Sequence, residues 1–199
     1  MRLEVPDPRL EVRCGDQSLF PALAARGDGG RSGRVLVRRR NSGAAGWPAA
    51  EFLANKRIAV TGVSRTPKGH GANVVYQRLR DRGFEVFAIN PNAEKVEGDR
   101  CYPNLRAVPG QVQAVVIGTR PEHAEGTVRE CVELGVRYVW MHRLYGTGSV
   151  SQAATEYGRE HGITVIDGGC PLMFDPTADP AHKMMRFVGS TTGKVPRTV

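Results

Sequence analysis

Five short apolar runs, each separated from the next by a stretch with helical periodicity, restrict this chain more than any other feature. They are Ile58-Ala59-Val60, Val86-Phe87-Ala88-Ile89, Ala114-Val115-Val116-Ile117, Tyr138-Val139-Trp140-Met141 and Ile163-Thr164-Val165-Ile166. Each is apolar at consecutive rather than alternate positions, the pattern of a strand covered on both faces in a parallel sheet. Between them, Ala124, Val128, Cys131 and Val132 fall at i, i+4, i+7 and i+8, and Val150, Ala153, Ala154 and Tyr157 at i, i+3, i+4 and i+7. Each set occupies one helix face. Gly83, Gly135 and Gly162 stand between a helical stretch and the next run, where glycine supplies the left-handed backbone that ends a helix. Parallel strands require crossovers, and such crossovers are right-handed. The expected fold is therefore α/β: a Rossmann-like doubly wound parallel sheet of five strands in a single domain, with a short helix near 49–55 ahead of the first strand.

The ends of the chain follow different rules. Residues 1–46 hold no sustained period, and contain a linker-like Gly27-Asp28-Gly29-Gly30-Arg31-Ser32-Gly33 and a basic Arg38-Arg39-Arg40. They are expected to form a disordered Gly- and Arg-rich arm, with electrostatic contact to a polyanion as the competing reading. The domain proper is assigned to 47–188. There, Asp179-Pro180 supplies an N-cap and first helical residue for a last helix, suited to docking on the sheet or to an oligomer contact. Residues 189–199 read as a tail. A net charge of +8 on 199 residues ordinarily points to a nucleic acid. Its distribution argues otherwise: residues 1–50 carry nine Lys and Arg against five Asp and Glu, 51–182 fifteen against fifteen, and 183–199 four against none. The charge lies at the ends and the core is neutral. Cys14, Cys101, Cys131 and Cys170 are too far apart for a Cys-x-x-Cys metal or redox motif. Charges interrupt every potential leader near Met1, and no apolar run approaches the ~18 residues of a membrane span. A cytoplasmic protein with reduced thiols, no metal and no membrane partner is expected.

In a sheet of this type ligands bind beyond the carboxyl ends of the strands, where strand order reverses. The first such end, Gly62-Val63-Ser64-Arg65-Thr66-Pro67-Lys68-Gly69-His70-Gly71, joins a strand to a helix and combines glycines, hydroxyls and two cations. Backbone amides at the helix start suit a phosphate, with Arg65 and Lys68 neutralising its charge. The glycine spacing matches neither G-x-G-x-x-G nor the P-loop. At the end of the second run stands Asn90-Pro91, where a dinucleotide site for NAD wants an acid on the ribose. Its absence disfavours NAD and leaves room for a further phosphate, with Lys95 nearby.

Taken together, Ile58-Ala59-Val60-Thr61-Gly62-Val63-Ser64, Ile89-Asn90-Pro91-Asn92, Cys101-Tyr102-Pro103-Asn104-Leu105, Val139-Trp140-Met141 and Gly169-Cys170-Pro171 resemble the CoA-binding domain family. These are small Rossmann-like proteins similar to the N-terminal domain of the succinyl-CoA synthetase α-subunit. The resemblance spans roughly residues 50–188. It implies coenzyme A or an acyl-CoA as ligand, a first phosphate loop at Gly62, Val63, Ser64 and Arg65 continuing to Lys68 and Gly69, a second-strand contact at Asn90, Pro91 and Lys95, and a third contact at Thr119, Arg120 and Pro121. CoA carries roughly −4, from a phosphomonoester and a diphosphate, which the cations of these loops can match.

No Ser-His-Asp set or carboxylate pair converges on this rim, whose one acid is Asp167. Binding without catalysis is the expectation. Cys170, beyond the last run, has two readings: a thiol activated by a helix start and able to form a mixed disulfide with CoA, or a buried inert cysteine. His70 faces either a phosphate or solvent, and His142 either lines the channel for the ligand's pantetheine or makes a structural hydrogen bond. Two other classes of function compete with CoA binding: an NAD(P)-linked oxidoreductase or redox sensor, and nucleic-acid contact through the basic ends, which the neutral core and lack of stacking aromatics disfavour.

Overall fold

The structure, a computed structural model, describes residues 48–66, 70–144, 146–174 and 176–191. The expectations for the arm at 1–46, for Lys68 and Gly69, and for residues from 192 onward lie outside the described residues.

Seven strands form one sheet: β1 (Arg57–Thr61), β2 (Glu85–Ile89), β3 (Lys95–Val96), β4 (Asp99–Tyr102), β5 (Ala114–Ile117), β6 (Tyr138–Met141) and β7 (Thr164–Asp167), in the order β3-β4-β2-β1-β5-β6-β7. All five expected runs are strands, and every pairing among them is parallel. The count of five is corrected to seven. The additions are β4, parallel to β2, and β3, which pairs antiparallel with β4 through the two-residue turn Glu97-Gly98. Neither has the apolar run that betrays a buried strand. β3 is two residues long and β4 is half polar, as befits a sheet edge.

Helix α1 (Pro48–Ala54) precedes β1, α2 (Gly71–Asp81) follows it, α3 (Pro121–Glu133) follows β5, and α4 (Gln152–Glu160) lies between β6 and β7. The final helix, α5 (Pro180–Thr191), is capped as expected, with Asp179 Oδ1 accepting the His182 N–H at 2.9 Å. Gly83, Gly135 and Gly162 stop three helices at φ of 80°, 70° and 80°. Val150 precedes α4 rather than joining it, because Ser151 is the N-cap and accepts from the Ala154 N–H.

Alternate strand residues feed two cores. On one face Ile58, Val60, Ala88, Val116, Trp140 and Ile166 pack against Phe52 of α1 and Val75, Tyr76 and Leu79 of α2. On the other, Ala59, Val115, Ile117, Val139, Met141 and Val165 pack against Ala124, Val128 and Cys131 of α3 and Ala154 of α4. The sheet is thus doubly wound, with β1 at its centre and the reversal of strand order between β1 and β5. Trp140 is fully buried in the first core. Phe52 meets its ring edge-on at 5.3 Å, and its Nε1 donates to the Gly168 carbonyl at 2.9 Å, so the indole has no unsatisfied polar atom.

Candidate functional site

The loops after β1 and β5 touch. A Cβ on Gly62, whose φ is 75°, would lie 2.7 Å from the Gly118 carbonyl carbon, and one on Gly118 would lie 2.6 Å from Ala72 Cβ and 2.7 Å from the Thr61 carbonyl oxygen. Only two glycines let the chain cross itself here. The Gly118 N–H closes the contact by donating to the Thr61 carbonyl at 3.2 Å. The crossing brings together the N-termini of α2 and α3, both at the carboxyl edge of the sheet and both without a side-chain cap: His70 and Arg120 stand at the N-cap positions and neither side chain bonds the first turn. Their partial positive charges therefore point into the same space.

The loop after β1 is fixed by polar side chains from elsewhere in the fold. Asn90 donates through Nδ2 to the Val63 carbonyl at 2.8 Å and accepts the Asn92 N–H through Oδ1 at 2.9 Å. Asn73, 1% exposed, accepts the Ser64 N–H and donates to the Ser64 carbonyl, both at 2.8 Å. Ser64 Oγ accepts from the Thr66 N–H at 3.1 Å. Arg65 follows at the exposed tip of this turn. Asn90 is thus a strut of the loop, and an acid in its place would lack the donor for Val63.

Two clefts lie at this edge of the sheet, of which the smaller borders the crossing. The larger, about 810 Å³, lies beyond β2 and β4 and is lined by Pro91, Asn92, Glu94, Lys95, Arg100 and Cys101 among others. The smaller, about 370 Å³, is lined by residues that include Gly71, Gly118, Thr119, Arg120, His142 and Leu144. The expected site residues divide accordingly: Pro91 and Lys95 line the first cleft and Thr119 and Arg120 the second, whereas Gly62, Val63, Ser64 and Arg65 belong to the loop at the crossing and line neither. Pro121 is the first residue of α3, and Val63 is fully buried and packs in the core beneath the loop. Arg100 was not anticipated, because no sequence signal places it in the same cleft as Lys95. The pairing of β3 with β4 does so, opposing Lys95 and Arg100 directly.

His142 lines the smaller cleft. Burial, with a smaller contribution from the nearby His182, lowers its pKa from the ordinary histidine value to about 4, so the ring is neutral at physiological pH. Cys170 takes the inert reading: it is 2% exposed, and burial pushes its thiol up to about 12, against the activation that a disulfide with CoA needs. Thr119 Oγ1 is buried without a hydrogen-bond partner at the wall of the smaller cleft. Among the described residues no cluster of His, Cys, Asp and Glu is set to hold a metal ion, and no helix is long and apolar enough to cross a membrane.

Comparison with known proteins gives the same region a relation. A family described as CoA binding domain matches residues 56–176. The ADP-forming acetate–CoA ligase II of Archaeoglobus fulgidus is 32% identical over 84 residues, which cover 41% of this chain and 12% of the ligase. The α-subunit of the ADP-forming acetate–CoA ligase II of Pyrococcus furiosus is 32% identical over 126 residues, 60% of this chain and 27% of the subunit. The chain thus matches only a minor part of either ligase. Among solved structures, a hypothetical protein from Pyrococcus horikoshii OT3 superposes with a TM-score of 0.58 at 26% identity, covering 62% of this chain and 84% of that one.

Proposed function

Since this chain belongs to the CoA binding domain family, we propose that it binds coenzyme A or an acyl-CoA across the carboxyl edge of the sheet, as a binding module without catalytic groups of its own. The observation that carries the proposal is the crossing at Gly62 and Gly118, beside which the starts of two helices without side-chain caps line the same cleft. A diphosphate seated there gains from both helix ends. The ribose phosphomonoester then falls toward Lys95 and Arg100 in the larger cleft, and the pantetheine toward Thr119 and His142 in the smaller. Arg65 and Arg120, both exposed, supply charge on either side of the crossing. The ligand needs about four charges matched, and a core of zero net charge supplies them locally. The relatives named acetate–CoA ligases support the ligand class and leave open the role of a domain that matches only part of them.

Thermal-shift titration with CoA, dephospho-CoA, NADP and a DNA duplex tests this reading. Stabilisation is expected in the order CoA, dephospho-CoA, then the others. A larger shift with NADP than with CoA would sink it, as would a response to DNA alone.

A further inference from the structure

Glu97 occupies the first of the two central positions of the β3–β4 turn with φ of 51°, beside Gly98 at 83°. Two positive φ angles in succession make the tight two-residue hairpin. Glycine or asparagine adopts this backbone with less strain than glutamate, so the side chain has to be explained. Its carboxylate accepts from Asn73 Nδ2 and from Gln77 Nε2, each at 2.5 Å. Asn73 carries the connection inward, since the same amide holds Ser64 by its N–H and its carbonyl.

An asparagine amide fits its pocket equally well by shape in two orientations. Here the Ser64 N–H and carbonyl select one of them, and the Glu97 carboxylate takes the remaining Nδ2 proton. With Oδ1 on the Ser64 N–H, the two Nδ2 protons serve the Ser64 carbonyl and the Glu97 carboxylate, and all four groups are satisfied. A reversed amide would set Oδ1 against a carboxylate and a carbonyl, and Nδ2 against an N–H, deep in the fold where such mismatches are most costly.

We propose that Glu97 is a positioning residue of the ligand site: without touching ligand, it anchors the Asn73 side chain in the orientation that Ser64 selects, and through it holds the course of the backbone from Ser64 to Arg65. The same carboxylate ties that loop to the hairpin whose Lys95, Arg100 and Cys101 line the larger cleft. The inference rests on the CoA reading only for what the loop holds, because the relay belongs to the ligand-free protein.

The test is site-resolved amide hydrogen exchange on the ligand-free chain, with CoA affinity measured by calorimetry, for Glu97→Gly, Glu97→Asn and Glu97→Gln. Glycine and asparagine both accept the left-handed backbone, and neither reaches Asn73. The Ser64 amide should exchange at least about tenfold faster in both while β1 amides keep wild-type rates, and CoA affinity should fall at least about fivefold. Glu97→Gln, which keeps one acceptor for Asn73, should restore both to within about twofold. Unchanged Ser64 exchange overturns the relay. So does exchange raised evenly through β1 and α2, or failure of both variants to fold, because Glu97 would then serve general stability. Altered Ser64 exchange with unaltered CoA affinity overturns the positioning role. Should wild type bind no CoA while Ser64 responds as expected, the relay stands and the CoA reading fails.

Discussion

The ring of His142 lies directly against Gly71, the first residue of α2: a Cβ on that glycine would stand 2.9 Å from His142 Cε1. The ring is further fixed by the main chain on either side, where the His142 N–H donates to the Ile117 carbonyl and its own carbonyl accepts the Ser149 N–H, both at 2.9 Å. An imidazole in this position sits at the positive end of a helix, half-buried, with His182 of α5 as a second nearby basic group and Asp179 bonded to His182 rather than to it. Burial and, to a lesser degree, His182 oppose a proton on His142.

The consequence is a pH dependence of stability. With the folded pKa near 4 and an ordinary unfolded value of 6.5, the unfolded chain binds more protons than the folded one between those limits, so stability falls as pH is lowered from about 6.5 to 4. The total loss expected is about 3 kcal/mol. Urea denaturation of wild type and His142→Gln at pH 7.5, 5.5 and 4.5 checks it. The variant should lose much less stability across the series, and parallel profiles for the two proteins would exclude His142 as the source.

Gly118→Ala should be among the most damaging single substitutions in the chain. The new methyl meets Ala72 Cβ at 2.6 Å and the Thr61 carbonyl oxygen at 2.7 Å, and backbone on one side leaves no rotamer by which to escape. A destabilisation of about 2–3 kcal/mol is expected, with any ligand response lost at the same time because the two helix ends move apart. Gly126→Ala, on a helix with open space around the added carbon, is the control and should be neutral or slightly stabilising in denaturant melts.

Asn90→Asp replaces the donor to the Val63 carbonyl by an anion while keeping the acceptor for the Asn92 N–H. A buried carbonyl facing a carboxylate should cost about 1–3 kcal/mol. Under the NAD reading this acid would improve dinucleotide affinity. Under the CoA reading it weakens CoA and confers nothing on NAD, a comparison that one calorimetric titration of each ligand makes.

The three described thiols should be silent in the folded protein. Cys101, Cys131 and Cys170 are 5%, 0% and 2% exposed, and burial raises the pKa of each. Alkylation followed by peptide mass mapping should label them only under denaturing conditions, and incubation with CoA disulfide should leave Cys170 unmodified. Rapid labelling of Cys170 in native protein would restore the mixed-disulfide reading.

How far the sequence carried the fold depends on burial. The five runs are strands because each is covered on both faces, and that leaves a continuous apolar signature. The hairpin left none. Asp99 is tolerated in β4 because Arg80 and Tyr76 of α2 both donate to its carboxylate, at 2.5 and 2.9 Å, and lower its pKa, Arg80 the more strongly. Nothing local in Asp99-Arg100-Cys101-Tyr102 reports those partners. The site shows the same division. Gly62, Ser64 and Arg65 stand out by composition after a strand, whereas Asn73, Glu97 and Arg100 reach the loop or the cleft through pairings of distant segments, and a polar residue inside a helix pattern looks like solvent-facing surface until its partner is known.

Arg65 carries the most direct test of where the diphosphate sits. Its side chain is exposed on the turn that Asn73 and Asn90 hold in place, so removing it should leave the fold intact, and melting within a degree or two of wild type is the first check on Arg65→Ala. If the guanidinium meets the diphosphate, the variant should bind CoA about tenfold more weakly, near 1.4 kcal/mol, while adenosine, which has no phosphate, is bound as before. The loss should shrink at high salt, since an exposed cation acts through solvent that ions screen. Equal losses for CoA and adenosine would instead place Arg65 on the base or ribose. No loss for either would move the phosphates toward Arg120 and the smaller cleft, where Arg120→Ala should then show the tenfold effect.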